Sequence, residues 1–233
     1  MKKGMIWKKQ KNGLLCFTSL RPLNFKERKF ETNYRSLLKF LRVTPLKTVF
    51  GKQIHGRRIR EAKNCGEKIP QAADGFVSYT PGCMLLIFTA DCLPVFIYDT
   101  KKRYIALAHC GWKGVHKEIV KNAIRKLIKK GSKTADLRFI LGPGIRECCY
   151  EVSPSFVRRF ERRYGKTGIY TRRGLIYFSL PDILKEQLKI AKIPAKNIKD
   201  TKSCTCCQPE KYYSYRREGK RAGRMVSGII TDA

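Results

Sequence analysis

Two kinds of apolar pattern run along this chain. Short runs that are apolar at nearly every position read as strands: "GFVSYT" (75–80), "MLLIFTA" (84–90), "PVFIYD" (94–99), "RYIALAH" (103–109), "LRFIL" (137–141) and "GLIYFSL" (174–180). Pro81-Gly82 marks a turn between the first two, and Thr100-Lys101-Lys102 a loop that closes the next two into a hairpin. Other stretches carry helical spacing. "NYRSLLKFLRV" (33–43) puts Leu37, Leu38 and Leu41 on one side. Val115 to Lys130 repeats every four residues, with Ile119, Ala123 and Leu127 beside Val120, Ile124 and Ile128. Ser153-Pro154 predicts a capped helix bearing Phe156, Val157 and Phe160 that ends before Gly165, and Pro181 opens another to about Ala191. Strands and helices mix around one clear hairpin, which predicts a layered α/β or α+β domain rather than a regular βαβ repeat.

A chain of 233 residues fits one domain spanning 1–233, and 42% hydrophobic content is that of an ordinary globular protein. It contains no 18-residue apolar run, so no membrane-spanning helix is expected. The basic start "MKKGMIWKKQKNGLL" lacks the apolar stretch of a signal peptide, which predicts a cytoplasmic protein. Ten cysteines then read as buried, metal-bound or reactive thiols; Cys148-Cys149 and Cys206-Cys207 are adjacent pairs, poorly placed for bridging. Charge is the outlier: 51 Lys and Arg against 18 acids give +33. That balance suits a polyanion such as RNA, and Tyr212, Tyr213 and Tyr215 near Arg216 and Arg217 could stack bases. The basic residues are nevertheless spread along the whole chain with no RNA-binding motif, so nucleic acid is not the expected main partner. Phosphate and small phosphorylated substrates would benefit equally from the positive field.

The candidate chemistry sits at the hairpin's open end. Of three histidines, His116 lies at a helix start and is given no role. A three-residue loop places His109 opposite Leu93, one residue from Cys92, and a two-residue loop shifts this by one position. Strict alternation would put Cys92 and His109 on opposite faces, but Asp91 and Pro94 predict that the strand is already broken there. His55, in "KQIHG", belongs to a third segment. His, Cys and His form a sensible ligand set for zinc, with a fourth position left open as in catalytic sites. Their separations of 37 and 17 residues match no structural zinc finger. The competing chemistry is a Cys92 nucleophile with His109 as its base. Asp74 and Asp91 are candidate acid–base groups, and Lys113, Arg216 and Arg224 candidate cations for phosphate. Cys204, Cys206 and Cys207 in "SCTCCQPE" read as structural rather than as a second metal site, and "GPGIRECCYEV" lacks the Lys-Ser/Thr of a phosphate-binding loop.

Taken in order, "KQIHG", "AADGFVS", "TADCLPV", "ALAHCGWKG", "LGPGIRECCYEV", "SCTCCQPEKYYSYRREG" and "GRMVSGII" resemble the YfiH-like, laccase-domain family across residues 52–230. The resemblance implies a layered α/β/β/α sandwich, related to the catalytic domain of cytotoxic necrotizing factor toxins. It implies phosphate-dependent cleavage of purine nucleosides, with adenosine deamination as a side activity, and a zinc held by His55, Cys92 and His109. The family's older name implies copper-dependent polyphenol oxidation, for which three histidines are too few. Catalytic roles then fall on Cys92, His109, Lys113 and Asp91, and substrate or phosphate contacts on Lys113, Arg216 and Arg224. The chain departs from the family pattern at Lys113, where arginine is usual, at Cys110, where alanine is usual, and in a shorter N-terminal region. Lysine keeps the charge but not the bidentate fork of arginine. The resemblance leaves the oligomeric state open.

Overall fold

In the computed structural model the described residues are 6–11, 13–26, 30–62 and 72–232. The strands are β1 (Ile6–Lys11), β2 (Leu14–Ser19), β3 (Lys47–Val49), β4 (Ile59–Glu61), β5 (Gly75–Ser78), β6 (Cys83–Thr89), β7 (Leu93–Asp99), β8 (Ile105–Cys110), β9 (Leu137–Leu141), β10 (Ile169–Arg172), β11 (Leu175–Phe178), β12 (Ile198–Asp200) and β13 (Met225–Thr231). The helices are α1 (Phe30–Leu41), α2 (Trp112–His116), α3 (Ile119–Lys129), α4 (Pro154–Tyr164), α5 (Leu180–Ile190) and the single turn α6 (Tyr215–Glu218).

Two mixed sheets lie face to face. One has the order β1-β2-β13-β6-β3 and the other β12-β9-β7-β8-β5-β4. Side chains from both, including Cys16, Leu85, Ile87 and Ile229 against Phe76, Phe96, Leu107 and Ile140, fill the space between them. The outer face of the first sheet carries Phe17, Met84, Leu86 and Val226 and is covered by Leu37 and Leu41 of α1. The outer face of the second carries Val77, Val95, Ile97 and Ala106 and is covered by α3, α4 and α5 through Ala123, Leu127, Phe160 and Leu184. The layers therefore run α/β/β/α, as the resemblance implied. With both faces of each sheet covered, a strand has no solvent side. This is why β6, β7 and β8 read as continuous apolar runs instead of alternating ones.

Pro81-Gly82 is the turn expected between β5 and β6, and it joins two sheets: β5 pairs with β4 and β8, whereas β6 pairs with β13 and β3, so the turn carries the chain from one sheet to the other. Two departures from the sequence reading have physical causes. The helix expected over 115–130 is two helices, because Glu118 takes a left-handed conformation (φ 57°) between α2 and α3. Within α3, Ile119, Val120, Ala123, Ile124 and Leu127 are buried, but Ile128 is 44% exposed. A ridge of every fourth residue advances about 40° per step around an α-helix, so the Val120, Ile124, Ile128 row spirals out of the interface by the last turn. Of the other expected helices, α4 begins at its Ser153 cap, whose Oγ accepts from the Phe156 amide at 3.2 Å, and α5 has the expected Pro181 in its first turn, with Ser179 Oγ accepting from the Asp182 amide at 3.3 Å.

Candidate active site with a His-Cys-His cluster

The hairpin β7–β8 has one more loop residue than expected. Tyr98 pairs with Ile105 and Pro94 with His109, and Arg103 closes the turn in a left-handed conformation (φ 60°). Before β7 the chain is sharply bent. Asp91 has φ 94°, and this takes Cys92 off the strand's alternation so that its thiol turns toward His109. The His55, Cys92 and His109 ligand atoms all lie within 4.8 Å of one another, with His55 exposed, Cys92 half-buried and His109 buried. The two imidazoles meet edge to face, ring centres 4.8 Å apart.

Asp74, fully buried at the start of the segment leading into β5, holds this arrangement. Its Oδ1 accepts from His109 Nδ1 at 2.9 Å and from the His55 amide at 2.8 Å, while Oδ2 accepts from the Gly56 amide at 2.7 Å and the Ile54 amide at 3.3 Å. Burial opposes its charge, but the bond from His109 and those amides outweigh it and hold the carboxyl below its ordinary pKa. The same residue thus anchors the His55 loop by its backbone and turns the His109 ring so that Nε2 is left for the cluster. The loop has a second anchor in Gln53, whose amide group both donates to the Phe88 carbonyl at 2.8 Å and accepts from the Phe88 N–H at 2.7 Å. Gly111 leaves room: a Cβ there would lie 2.9 Å from Cys92 Sγ and 3.0 Å from His55 Cδ2.

Burial would raise the Cys92 pKa, but the charge of His109 and hydrogen bonds from His109 and His55 bring it down to about 6. Burial lowers that of His109, yet the Cys92 charge and the bond to Asp74 raise it to about 9. Two imidazoles and a thiol that ionises readily, with an aspartate fixing one ring from behind, match the donor types and outer support that zinc prefers. The residues therefore fit a metal ion of this kind.

The cluster lies in the lining of a cleft of about 590 Å³, a size suited to a small molecule. Phe88, Trp112, Tyr150 and Tyr215 contribute aromatic faces and Arg216 and Arg224 contribute cations. Arg216 is held on three sides: its amide donates to Asp91 Oδ2 at 2.7 Å, its guanidinium donates to the Glu151 carbonyl at 3.0 Å, and it lies 5.3 Å from the Tyr150 ring centre. Burial, with the Cys92 and Asp91 charges, keeps the Tyr150 phenol protonated.

Asp74 lies behind the cluster with both oxygens engaged by His109 and the Ile54, His55 and Gly56 amides. Asp91 lines the cleft, but Oδ1 accepts from the Thr205 hydroxyl at 2.6 Å and Oδ2 from the Arg216 amide. Both oxygens of this acid, expected to be catalytic, are thus hydrogen-bonded within the protein. Lys113 is exposed, stands 5.6 Å from the Trp112 ring centre, and is not among the cleft residues. The short first turn of α2 carries it outward. Arg216 and Arg224 both line the cleft. His116 is exposed and bonds the Arg159 carbonyl at 3.1 Å, away from the cluster. Gln53, Phe88, Trp112 and Tyr150 were missed as cleft residues. Gln53, Trp112 and Tyr150 lie inside the quoted motifs and Phe88 just before one, which is the signal that could have flagged them.

The layered α/β/β/α domain thus carries, at the ends of its buried strands, a His-Cys-His cluster that could hold a metal ion. The chain belongs to the family described as multi-copper polyphenol oxidoreductase laccase, whose model matches residues 24–232. It is 38% identical over 160 residues to a purine nucleoside phosphorylase of Clostridium acetobutylicum, covering 67% of this chain and 66% of that protein. It is 28% identical over 163 residues to an adenosine deaminase of an unknown prokaryotic organism, covering 68% and 62% respectively. The chain thus spans about two thirds of the length of these curated relatives. The crystal structure of the Bacillus licheniformis hypothetical protein YfiH superposes with a TM-score of 0.86 at 25% identity, covering 95% of this chain and 94% of that one.

Proposed function

We propose that this protein is a zinc-dependent purine nucleoside phosphorylase. It cleaves adenosine, inosine, guanosine or methylthioadenosine with phosphate in the cytoplasm and deaminates adenosine as a side reaction. The observation that carries the reading is the convergence, in one cleft, of the His55, Cys92 and His109 cluster with aromatic faces and two arginines. The names of the similar proteins point the same way. Zinc, held by those three residues, would supply a Lewis-acidic centre with a position open to an oxygen ligand; copper is the alternative ion that the family's description raises.

The chain's own groups do the rest. Trp112, Tyr150 and Phe88 offer flat apolar surface to a purine, while Arg216 and Arg224 neutralise phosphate and hold it toward the sugar. A phosphate oxygen then bonds C1′ as the C1′–N9 bond breaks, its electron pair leaves with the base, and the base takes up a proton. The neutral Tyr150 phenol is a donor in the same cleft. Asp91 acts by positioning Arg216, and His109 is kept in one orientation by Asp74.

A second reading rests on a specific observation: Asp74, His109 and Cys92 form an acid–imidazole–thiol series, the layout of a cysteine hydrolase or deamidase. One experiment separates the two. Wild type and Cys92→Ala are incubated with adenosine or inosine, with and without phosphate, and the products separated. Phosphate-dependent release of base and ribose 1-phosphate, lost in the variant, is the expected result. Equal release in the variant, or none from zinc-loaded wild type, removes the phosphorylase reading. Metal-independent amide hydrolysis by wild type would favour the hydrolase.

A further inference from the structure

We propose that Cys148, Cys149, Cys204 and Cys207 form a second metal site, a four-thiolate cage for zinc, distinct from the His-Cys-His cluster and bracing the wall of the cleft. The four sulfurs come from two loops far apart in sequence, and all lie within 4.8 Å of one another. Cys207 Sγ is 3.3 Å from Cys148 Sγ and 3.2 Å from Cys149 Sγ. A tetrahedral zinc with Zn–S bonds of about 2.3 Å spaces its sulfurs roughly 3.8 Å apart, so small outward shifts suffice to admit the ion.

A second observation concerns Cys204. It is buried, and its backbone bridges that of Gly144, on the loop leading to Cys148 and Cys149. Cys204-Thr205-Cys206-Cys207 also has the two-residue gap between ligands common in thiolate zinc sites. Four thiolates this close would repel one another in the absence of a cation, and a divalent cation removes the conflict.

The two loops are held in register before any ion arrives. The Gly144 amide donates to the Ser203 carbonyl at 3.2 Å and the Thr205 amide to the Gly144 carbonyl at 3.1 Å. The buried Arg146 guanidinium bonds the Ser203 and Gly142 carbonyls and pairs with Asp200 at 2.9 Å. A cage built this way would fix two groups of the cleft. Tyr150 follows Cys149 directly, and the Thr205 hydroxyl, inside the Cys204–Cys207 loop, bonds Asp91.

The test is the zinc content of protein purified anaerobically under reducing conditions. Wild type should hold two zinc ions per chain, and Cys204→Ser and Cys92→Ser one each, with circular dichroism as the check on folding. Cys204→Ser retaining the wild-type content overturns the proposal. So does Cys92→Ser holding none, since a single ion would then account for all the metal. Loss of zinc from Cys92→Ser with the second ion retained tests the first site independently of this one. Cobalt titration of wild type needs no variant: strong thiolate-to-cobalt absorption from a four-sulfur site should develop with one of two equivalents, and its absence overturns the proposal. A Cys148–Cys207 or Cys149–Cys207 disulfide in freshly isolated, thiol-blocked protein also overturns it, by making the cluster a redox pair.

Discussion

Asp74 and His109 are joined by a 2.9 Å hydrogen bond from Nδ1 to Oδ1, and the same carboxylate accepts from the amides of three consecutive residues around His55. One buried charge thus sets both the tautomer of one imidazole and the loop that carries the other. Asp74→Asn can accept on one side only and would set its own N–H groups against those donors. We expect a 10–100-fold loss of zinc affinity, the usual scale for removing an orienting partner. Competition against a metal chelator reads this out; an unchanged affinity would show that Asp74 does not support the cluster.

Gly111 is the place where a single methyl group should have a large effect. Gly111→Ala puts a Cβ against Cys92 Sγ and the His55 ring. The backbone there is ordinary (φ −74°), so the cost is spatial and not conformational. The variant should fold with near-native thermal stability but lose zinc from the first site. Retention of that zinc would mean the loop around His55 yields easily.

The Cys92 and His109 shifts define a pH window in the metal-free protein. With its folded pKa lowered to about 6, Cys92 contributes stability that is fully present above the ordinary thiol value and is lost as pH falls through 6. With its pKa raised to about 9, His109 contributes stability that is present below the ordinary imidazole value and is lost as pH rises through 9. The thiolate–imidazolium pair is therefore populated between about pH 6 and 9. Alkylation of Cys92 in chelator-treated protein should rise through pH 6 and then level off. A rise centred near pH 8.5, the free-thiol value, would remove the pairing.

Arg216 and Arg224 can be separated from base recognition. Arg216→Ala keeps the backbone N–H that bonds Asp91, so the loop should stay in place. Loss of a charge-assisted contact of about 1.5–3 kcal/mol corresponds to a rise of at least tenfold in KM for phosphate, with nucleoside binding little changed. Initial-rate measurements with each substrate varied in turn decide it. An effect confined to the nucleoside would reassign the residue.

In α3, Leu127 is fully buried and Ile128 is 44% exposed. Leu127→Ala should cost about 2–5 kcal/mol and Ile128→Ala well under that. Denaturant unfolding of both variants checks the helix orientation directly. Equal costs would restore the row of every fourth residue as the buried face.

Much of this architecture was legible in the sequence because burial on both faces leaves uninterrupted apolar runs, which marked β6, β7, β8 and β9. The Ser153 cap and Pro181 made the starts of α4 and α5 legible for a similarly local reason. What stayed hidden depended on long-range pairing. The strand β13 is broken by Ser227 and Gly228, and nothing local says that it inserts between β2 and β6. The turn at Pro81-Gly82 looks the same whether the chain reverses within a sheet or crosses between two. For the site, Cys92 and His109 could be joined because a hairpin fixes register to within one residue. His55 could be placed only by resemblance, since its link to the pair runs through the Asp74 carboxylate. Asp91 and Lys113 show the limit of reading residue type alone: one acid is tied up by Thr205 and Arg216, and one cation is carried outward by a short helical turn.

The position of β13 has a consequence for how the molecule is made. Residues 225–231 pair with β2 on one side and β6 on the other, in the middle of their sheet. While the chain is being synthesised, the first strands must wait for more than two hundred residues before their neighbour exists. Until then β2 and β6 expose unpaired edges of high apolar content, the kind of surface that sticks to other nascent chains. A ribosome stalled shortly before codon 225 would hold a polypeptide that aggregates on release, whereas one that completes the strand closes the sheet from within.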